Sequence, residues 1–451
     1  MLSAGISACE KGRAWECAVG ILQKMQESAV NANRVSYGAA ILACAGSSRW
    51  QDAFFLLDEM LIMRIQPHVS SYSRMLMECE QRGLQDVEIS LLHRLGKSIA
   101  GSEDRELLGA AAKYAAVTDR KESELEALDV AAALIPALAS GSGSTEHFEE
   151  RPYGKEVRLL RHILQTASAG DPDSVCRAVE HFGEEVLAGS SWLKVAAGSK
   201  AEVLIEAVCS APRSGPILEV GTYCGYSAIR LADALPEARV VSLEVDAVHA
   251  VIARNVVALA GLSHRVDIWI GHSRDVLTKL AAYYPGASPL AFRAVFMDQC
   301  GSRYAEDLDL LESSSLIQTG AVIVADNVLK PGAPLFLWKV TASPAYETDI
   351  VRVPEFAMPS EDWMSVTVRK EEFDGSRTTK PLPQPPGLAR LIWEADRMRS
   401  RATEQARGVT FREWSAFART MRSRLGALGI KATSIAPDRV KCRPRKKYSD
   451  R

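Results

Sequence analysis

Five short apolar segments alternate with helical patterns between Pro216 and Asp326, and this alternation constrains the fold more than any other feature. The segments read PILEV, RVVSLEV, RVDIWI, RAVFMD and AVIVAD. Two more, ETDIVRVPE and WMSVTVRK, follow without a helical pattern between them, which predicts a terminal hairpin. Strands that alternate with helices form a mostly parallel sheet covered by helices on both faces. We therefore predict an α/β domain with a doubly wound, Rossmann-like sheet of seven strands.

The ends of the first two segments predict a nucleoside site, because ligands of doubly wound sheets bind at the carboxyl ends of strands. The first segment runs into EVGTYCGYS, where Gly221 and Gly225 permit a tight turn close to a ligand. The second ends at Glu244, 25 residues after Glu219 (244 − 219), where a carboxylate accepts hydrogen bonds from ribose hydroxyls. The loop lacks the GxGxxG pattern of pyrophosphate binders, so the predicted cofactor is S-adenosylmethionine.

The ends of the fourth and fifth segments carry oxygen ligands. Asp298 follows the fourth segment, and Asp326 and Asn327 follow the fifth. We expect these two strands to be neighbours, which brings the three side chains together. Two carboxylates and an amide oxygen suit Mg²⁺. The alternative is that each aspartate only caps the helix that follows it; beside a nucleoside site, we expect the metal site.

The domain resembles the catechol O-methyltransferase family, with similarity in LEVGTYCGYSAIRLA, SLEVD, GHSRDVL and ADNVLKPGAP, in that order. The resemblance implies Mg²⁺-dependent methyl transfer from S-adenosylmethionine to a hydroxyl of a catechol-like small molecule. It implies cofactor contacts at Gly221, Tyr223, Gly225, Tyr226, Ser227, Glu244 and Ser273. It implies metal ligands at Asp298, Asp326 and Asn327, substrate contacts at Trp192, Pro331 and Asn327, and a catalytic hydrogen-bond acceptor at Glu355.

The chain departs from that family directly after Asp298. The family carries a general-base lysine three residues after its first metal aspartate, where this chain has Gly301, and an aromatic wall where this chain has Cys300. The loss predicts reduced activity, Lys330 as a substitute catalytic base, or a more acidic substrate that needs no base. Because Cys300 replaces that aromatic wall, the substrate site is also expected to admit a bulkier, phenylpropanoid-like diol.

Residues 1–100 repeat with a period of 35. Cys9, Cys44 and Cys79 are spaced by it (44 − 9 and 79 − 44), as are Trp15 and Trp50. The two units SACEKGRAWECAVGILQKM and LACAGSSRWQDAFFLLDEM each predict the end of one helix, a turn and a second amphipathic helix. The three cysteines are expected to be small core residues at helix contacts.

This period resembles the pentatricopeptide repeat, which implies binding of single-stranded RNA with one base per repeat. The base-reading positions of the middle unit fall on Gly38 and about His68, which are poor readers. The alternative is a short scaffold or protein-docking array.

Composition shifts set the predicted boundaries. Residues 1–100 form the repeats, 101–153 a helical segment and linker containing ASGSGSTEHFEERPYG, 154–372 the methyltransferase-like domain, and 373–451 a proline-rich break and basic tail. Residues 375–451 hold 19 Lys and Arg against 6 Asp and Glu. The tail is either helical and in contact with nucleic acid, a nuclear-type signal, or disordered.

Charge and cysteine content limit the class of protein. The net charge is −2, so no global field points to a polyanionic partner. Nine cysteines without a CxxC pair predict reduced intracellular thiols. The longest apolar run is too short for a bilayer span, so we expect a soluble protein without a membrane partner, with a cytoplasmic or an organellar location left open. The chain begins within a helical pattern, which indicates a missing upstream segment.

A rival function stays open at this point. On that hypothesis the protein is an RNA-binding or scaffold repeat protein whose methyltransferase domain is catalytically impaired. Gly301 and Cys300 favour the rival. The metal trio and Glu244 favour an enzyme, since a decayed site is expected to lose these residues too.

Overall fold

The computed structural model describes most of the chain, in two compact units. The described residues are 2–12, 14–28, 30–47, 49–99, 107, 110–111, 134, 153–187, 193–284, 290–358, 360–370, 383–404 and 409–435. The first unit comprises Met1–Val179, Thr222–Gly225 and Ser242–Val276, and the second comprises Glu180–Gly221, Tyr226–Val241 and Leu277–Arg451. Most of the predicted segment 101–153, together with Trp192 and the basic residues 436–451, lies outside the described residues.

Six helices form the N-terminal region. They are α1 (Leu2–Lys11), α2 (Trp15–Glu27), α3 (Arg34–Gly46), α4 (Trp50–Ile62), α5 (Val69–Arg82) and α6 (Gln85–Ile99). The helices α2, α4 and α6 begin 35 residues apart (50 − 15 and 85 − 50), and so do α3 and α5 (69 − 34). The predicted all-helical N-terminal region is therefore confirmed, and its helix spacing follows the sequence period.

Some of the residues that recur with this period pack between the helices, whereas Cys9, predicted to be a core residue, is only half-buried. Cys44 and Cys79 are buried, as are Tyr37 and Tyr72 at the equivalent positions of α3 and α5. His68 is exposed, and its Nδ1 accepts a hydrogen bond from the backbone N–H of Ser70 and caps α5.

The α/β region follows with alternating helices and strands. Its helices are α7 (Gly154–Thr166), α8 (Pro172–His181), α9 (Ser199–Cys209), α10 (Tyr226–Ala234), α11 (Ala247–Leu259), α12 (Ser273–Tyr283), α13 (Tyr304–Ser313) and α14 (Pro334–Ala342). Its strands are β1 (Ile217–Val220), β2 (Val240–Glu244), β3 (Val266–Ile270), β4 (Phe292–Met297), β5 (Ile317–Ala325), β6 (Tyr346–Pro354) and β7 (Glu361–Arg369). All seven predicted strands are present, and the predicted α/β class with a mostly parallel sheet is confirmed.

The sheet of the second unit brings two strand ends together. Its strands follow the order β1-β4-β5-β7-β6, with β1, β4 and β5 parallel and with β7 antiparallel to both neighbours. Every residue of β1 and β4 is buried, as expected for strands covered on both faces. Met297 lies opposite Ala325, so Asp298 and Asp326 leave adjacent strands at the same level. The predicted neighbourhood of these strands is confirmed.

The C-terminal segment adds two helices and an eighth strand to the second unit. They are α15 (Leu388–Glu404), α16 (Phe411–Ala427) and β8 (Ser434–Ile435). Thr410 and Glu413 form a capping box at the start of α16, and β8 pairs with β6 in parallel. Basic side chains of this segment form ion pairs within the unit, including Arg422 with Glu361 at 2.9 Å. None of the described helices has the length and the apolar character that a bilayer span requires.

In the first unit, α5 and α6 pack on the α/β elements β3 and α11. The buried guanidinium of Arg254, in α11, pairs with Glu80 of α5 and with Glu88 of α6, the latter at 3.4 Å. Glu80 also accepts the backbone N–H of Ile270 at 2.9 Å. Arg74 of α5 binds Asp275 at 2.7 Å. The third helical pair is thus anchored to the α/β elements by buried charges.

Replacing Glu80 by alanine is expected to destabilise the protein by on the order of 3 kcal/mol, because the buried Arg254 guanidinium loses its shorter ion pair and keeps the longer one with Glu88. Urea unfolding of the full chain, followed by circular dichroism, measures this loss. The control is Asp58→Ala, which removes an exposed pair with Arg94 and should cost less than about 1 kcal/mol. Equal losses for the two variants would contradict the assignment.

Candidate active site

The two strand ends of the second unit carry the predicted oxygen ligands. Asp298 follows β4 and is partly buried, whereas Asp326 follows β5 and is 2 % exposed. Asn327 adopts a left-handed conformation at φ 54°, and its backbone N–H donates to Asp326 Oδ1 at 2.7 Å. The turn therefore presents a carboxylate and an amide from consecutive residues.

A buried ammonium lies among the carboxylates at this edge of the sheet. Lys200, in the first turn of α9, places Nζ 3.0 Å from Asp326 Oδ2, 2.7 Å from Glu355 Oε1 and 3.6 Å from Asp362 Oδ2. All four residues are almost completely buried. Neither Lys200 nor Asp362 was predicted as a site residue, since one lysine at a helix start and one aspartate near a strand start are common in solvent-exposed positions.

Lys330 completes this buried charge cluster, which comprises Lys200, Lys330, Asp326, Glu355 and Asp362. Its Nζ lies 2.8 Å from Glu355 Oε2 and donates to Ser360 Oγ at 2.7 Å. Both oxygens of Glu355 therefore contact an ammonium group. The backbone N–H of Lys330 donates to Asp362 Oδ1 at 3.0 Å, which fixes the segment Val328–Gly332 against β7.

The carboxylates outnumber the ammonium groups by at least two, because Asp298 adds a fourth carboxylate to the three of the cluster. Burial and the neighbouring charge of Asp326 raise the pKa of Asp298 well above its usual range. Burial likewise raises the pKa of Asp326 and of Asp362, although Lys200 opposes both shifts. Burial would also raise the pKa of Glu355, but Lys200 and Lys330 outweigh it and lower that pKa. When all four carboxylates are ionised, their excess negative charge would favour a bound cation.

The donor types at the strand ends fit a hard divalent cation. Asp298 and Asp326 supply carboxylate oxygens and Asn327 an amide oxygen, the oxygen-only set that Mg²⁺ prefers. Across the described ranges, no group of three or more His, Cys, Asp or Glu side chains is arranged to hold a metal. A cation at this edge would thus depend on the amide and on further oxygens from a substrate or water.

In the first unit, Glu244 stands at the end of β2, as predicted. Its Oε2 accepts the backbone N–H of Tyr223 at 2.7 Å, and its Oε1 accepts that of Asp246 at 2.8 Å. His249 Nδ1 lies 3.8 Å from Oε1. Two backbone donors fix the carboxylate in one orientation while leaving lone pairs on each oxygen for a ligand.

Aromatic side chains surround this carboxylate. The Tyr223 hydroxyl donates to Glu156 at 2.6 Å, and the Tyr153 hydroxyl donates to Asp246 at 2.6 Å. Both rings meet the His249 imidazole edge-on, at centroid distances of 4.8 Å and 5.6 Å. Sequence reasoning found Tyr223 but missed Tyr153, Glu156 and His249, because these three residues come from α11 and from the start of α7.

The two predicted glycines lie where another backbone segment passes close to the chain. Gly225 has φ +89°, and a Cβ there would lie 3.3 Å from the backbone of Ala253, within the first unit. Gly221, in the second unit, has φ +105°, and a Cβ there would lie 2.5 Å from the carbonyl oxygen of Asp298. Side chains at these two positions are excluded by conformation and by space.

The remaining predicted residues occupy defined places. The Tyr226 hydroxyl donates to Glu180 at 2.5 Å, and Ser227 is buried beside it in α10. Ser273 is buried at the start of α12 in the first unit. Pro331 follows a cis peptide bond within Val328–Gly332, and Cys300 is exposed, with Sγ 3.1 Å from Ser302 Oγ.

His249 is expected to stabilise the fold more at low pH. Burial lowers the pKa of its imidazole, but the hydrogen bond with Glu244 and the charges of Glu244, Asp246 and Glu156 raise it more, so the net shift is upward. A histidine whose pKa is raised in the folded state stabilises that state fully below its unfolded-state pKa, about 6.5. This stabilisation is lost as the pH rises through the folded-state pKa. His249→Asn should therefore lose more stability at pH 6 than at pH 8 in urea unfolding. His264→Asn, at an exposed site, is the control, and identical pH dependence of both variants would contradict the shift.

Comparison with known proteins identifies the family of this chain. A sequence model described as O-methyltransferase matches residues 192–356. Catechol O-methyltransferase of Mus musculus is 38% identical over 194 residues, covering 43% of this chain and 70% of that protein. The Bos taurus enzyme is 37% identical, covering 43% of this chain and 68% of that protein. A solved O-methyltransferase from Bacillus cereus is 22% identical with a TM-score of 0.36, over 47% of this chain and 91% of that one. The chain belongs to the O-methyltransferase family, as a relative of the catechol O-methyltransferases.

Proposed function

We propose that this protein transfers the methyl group of S-adenosylmethionine to a hydroxyl of a catechol-like small molecule, with Mg²⁺ as the metal. The observation that carries the proposal is the pair of adjacent strand ends, where Asp298, Asp326 and Asn327 meet a buried charge cluster with excess carboxylate. The family relationship supports the reaction class, and the donor set supports the metal.

Asp298, Asp326 and Asn327 would hold Mg²⁺. When bound, the ion supplies a Lewis acid that favours ionisation of a coordinated hydroxyl and orients two adjacent substrate oxygens. Lys200 has a supporting role, because its ammonium fixes the orientation of Asp326 and Glu355 at 3.0 Å and 2.7 Å. The two lysines keep Glu355 ionised, so its carboxylate can accept a hydrogen bond from the non-reacting hydroxyl.

Glu244 and Tyr223 would hold the ribose of the cofactor, with Ser273 at the adenine. Glu244 needs little reorganisation for this role, since two backbone N–H groups already fix its carboxylate. Gly225 packs against the backbone of Ala253, and Gly221, Gly225, Tyr226 and Ser227 are assigned to the remaining part of the cofactor. Pro331 and Trp192 are assigned to the ring of the substrate.

The environment of Lys330 bears on its proposed role as a base. The Lys330 Nζ lies 2.8 Å from Glu355 Oε2 and donates to Ser360 Oγ at 2.7 Å, so both contacts direct it toward protein groups. We expect Lys330 to anchor Glu355. Lys330→Met should then raise KM and lower stability while the pH profile of kcat keeps its shape. A profile that no longer rises with pH in this variant would identify Lys330 as the base.

The metal assignment predicts that Asp298→Asn lowers methyl transfer by more than about 100-fold, because the variant loses a direct ligand. Transfer from labelled S-adenosylmethionine to a panel of catechols, with Mg²⁺ or with EDTA, measures the loss on the full chain. Asp309→Asn, at an exposed position of α13, is the control. Calorimetric titration should show unchanged cofactor binding in both variants. Activity that persists in EDTA, or in Asp298→Asn, would exclude the proposed metal site.

A second function is proposed for the N-terminal helices, on the observation that their starts recur every 35 residues. On this proposal they are pentatricopeptide-like repeats that bind single-stranded RNA or a protein. Gly38 is buried, and His68 is exposed but uses Nδ1 to cap α5, whereas α4 exposes Phe55 and Ile62 at 70% and 79%. These features favour a protein partner. Gel-shift titration with single-stranded RNA distinguishes the two, and sequence-selective binding would reverse the preference.

A further inference from the structure

The C-terminal helix α15 closes the space beside Gly301. A Cβ at position 301 would lie 2.8 Å from Nη2 of Arg399, 3.0 Å from the carbonyl oxygen of Gly332 and 3.3 Å from Cβ of Ala333. Gly301 belongs to the loop after Asp298, and Gly332 to the segment after Asn327. The Arg399 guanidinium therefore reaches the two loops that carry the proposed metal ligands.

Arg399 is held in this place by several contacts. Its Nη2 donates to the Gly332 carbonyl, and its Nη1 donates to Asp396 of the same helix at 2.6 Å. The preceding residue, Met398, packs in a buried cluster with Met358 and Trp414, and the latter belongs to α16. The Arg399 side chain is 14% exposed. The Arg399 guanidinium therefore lies next to position 301, where the side chain of the family's general-base lysine would start.

The hydroxyl of Tyr304 lies at the same strand ends. It donates to the carbonyl oxygen of Asp326 at 3.0 Å, so Tyr304 contacts a residue that carries a proposed metal ligand. Within this region Asp396 lies on the helix of Arg399, and Tyr304 faces it from α13.

A guanidinium differs from the lysine that it replaces, because it stays protonated and cannot accept a proton. It can stabilise a negative oxygen through charge and hydrogen bonds. It cannot generate that oxygen from a neutral hydroxyl. The position therefore offers electrostatic stabilisation without general-base catalysis.

We propose that Arg399 stabilises the ionised oxygen of the methyl acceptor, and that the preferred acceptors are acidic catechol-like diols, already ionised at the working pH. This inference rests on the proposed function and narrows its substrate class. The acceptor loses its proton to solvent before reaction. Its oxygen lone pair then forms the bond to the methyl carbon as the carbon–sulfur bond breaks. The sulfur keeps the electron pair, and S-adenosylhomocysteine leaves.

The first experiment measures kcat/KM of the full chain at pH 7 for catechols that carry electron-withdrawing or electron-donating substituents. The ionised fraction falls about tenfold for each unit by which the hydroxyl pKa exceeds the pH, and kcat/KM is expected to fall in parallel. A series in which acidic and weakly acidic catechols react equally fast would overturn the proposal. This series uses only the wild-type protein, so it does not depend on the folding of a variant.

The second experiment tests Arg399 itself through the ionisation of a bound ligand. With S-adenosylhomocysteine and Mg²⁺ present, 4-nitrocatechol cannot react, and its absorbance reports its own pKa when bound. Arg399→Gln should raise that pKa by about one unit, and Arg399→Lys should leave it close to the wild-type value. Arg397→Gln, an exposed arginine on the same helix, is the matched control. Equal effects of Arg399→Gln and Arg397→Gln would overturn the role of Arg399.

Different results would contradict the proposed function and the inference about Arg399. If the wild-type protein binds S-adenosylmethionine but methylates no catechol at any pH, the proposed function is wrong and this inference falls with it. If methyl transfer occurs but does not follow acceptor acidity, or if Arg399→Gln leaves the bound nitrocatechol unchanged, only the present inference is wrong.

Discussion

The buried ammonium of Lys200 is the contact on which the proposed acceptor side of this protein depends. It joins the start of α9 to the end of β5, to the residue after β6 and to the start of β7, through Asp326, Glu355 and Asp362. Removing it would leave the buried carboxylates of Asp326 and Asp362 without this direct ammonium contact, and Glu355 with Lys330 alone, which is more costly than losing a surface pair. The charges of the cluster are costly to bury, but they also orient the carboxylate oxygens of Asp326 and Glu355 that the proposed reaction uses.

Each unit carries helices that lie outside the segment matched by the family model, residues 192–356. In the first unit, α5 and α6 bind β3 and α11 through Glu80 and Arg254. In the second unit, α15 and α16 pack on Val328–Gly332. A fragment limited to the α/β elements would expose both surfaces. The helices α5 and α6 pack directly on β3 and α11 rather than being joined to them by a linker alone.

Much of the fold and part of the site follow from sequence patterns that have a local physical cause. Alternating apolar strands and helices fix the parallel sheet, and the sheet brings Asp298 and Asp326 to one edge. Glu244 is recognisable because a strand end has a defined place in such a sheet. Lys200, Asp362 and Arg399 give no comparable signal, since their roles depend on tertiary packing between elements far apart in the chain. The tail illustrates this limit: its composition is basic, yet Arg399 and Arg422 bind groups of the same unit.

The crowding at Gly301 couples this position to Arg399, which lies far away in the sequence. A lysine introduced at 301 meets the guanidinium of Arg399 and the backbone of Gly332, so this single change is unfavourable while the arginine remains. Loss of Arg399 alone removes the cation without supplying a base. A general base at position 301 therefore requires changes at both positions, and on the proposed acidic-acceptor chemistry neither change alone provides one.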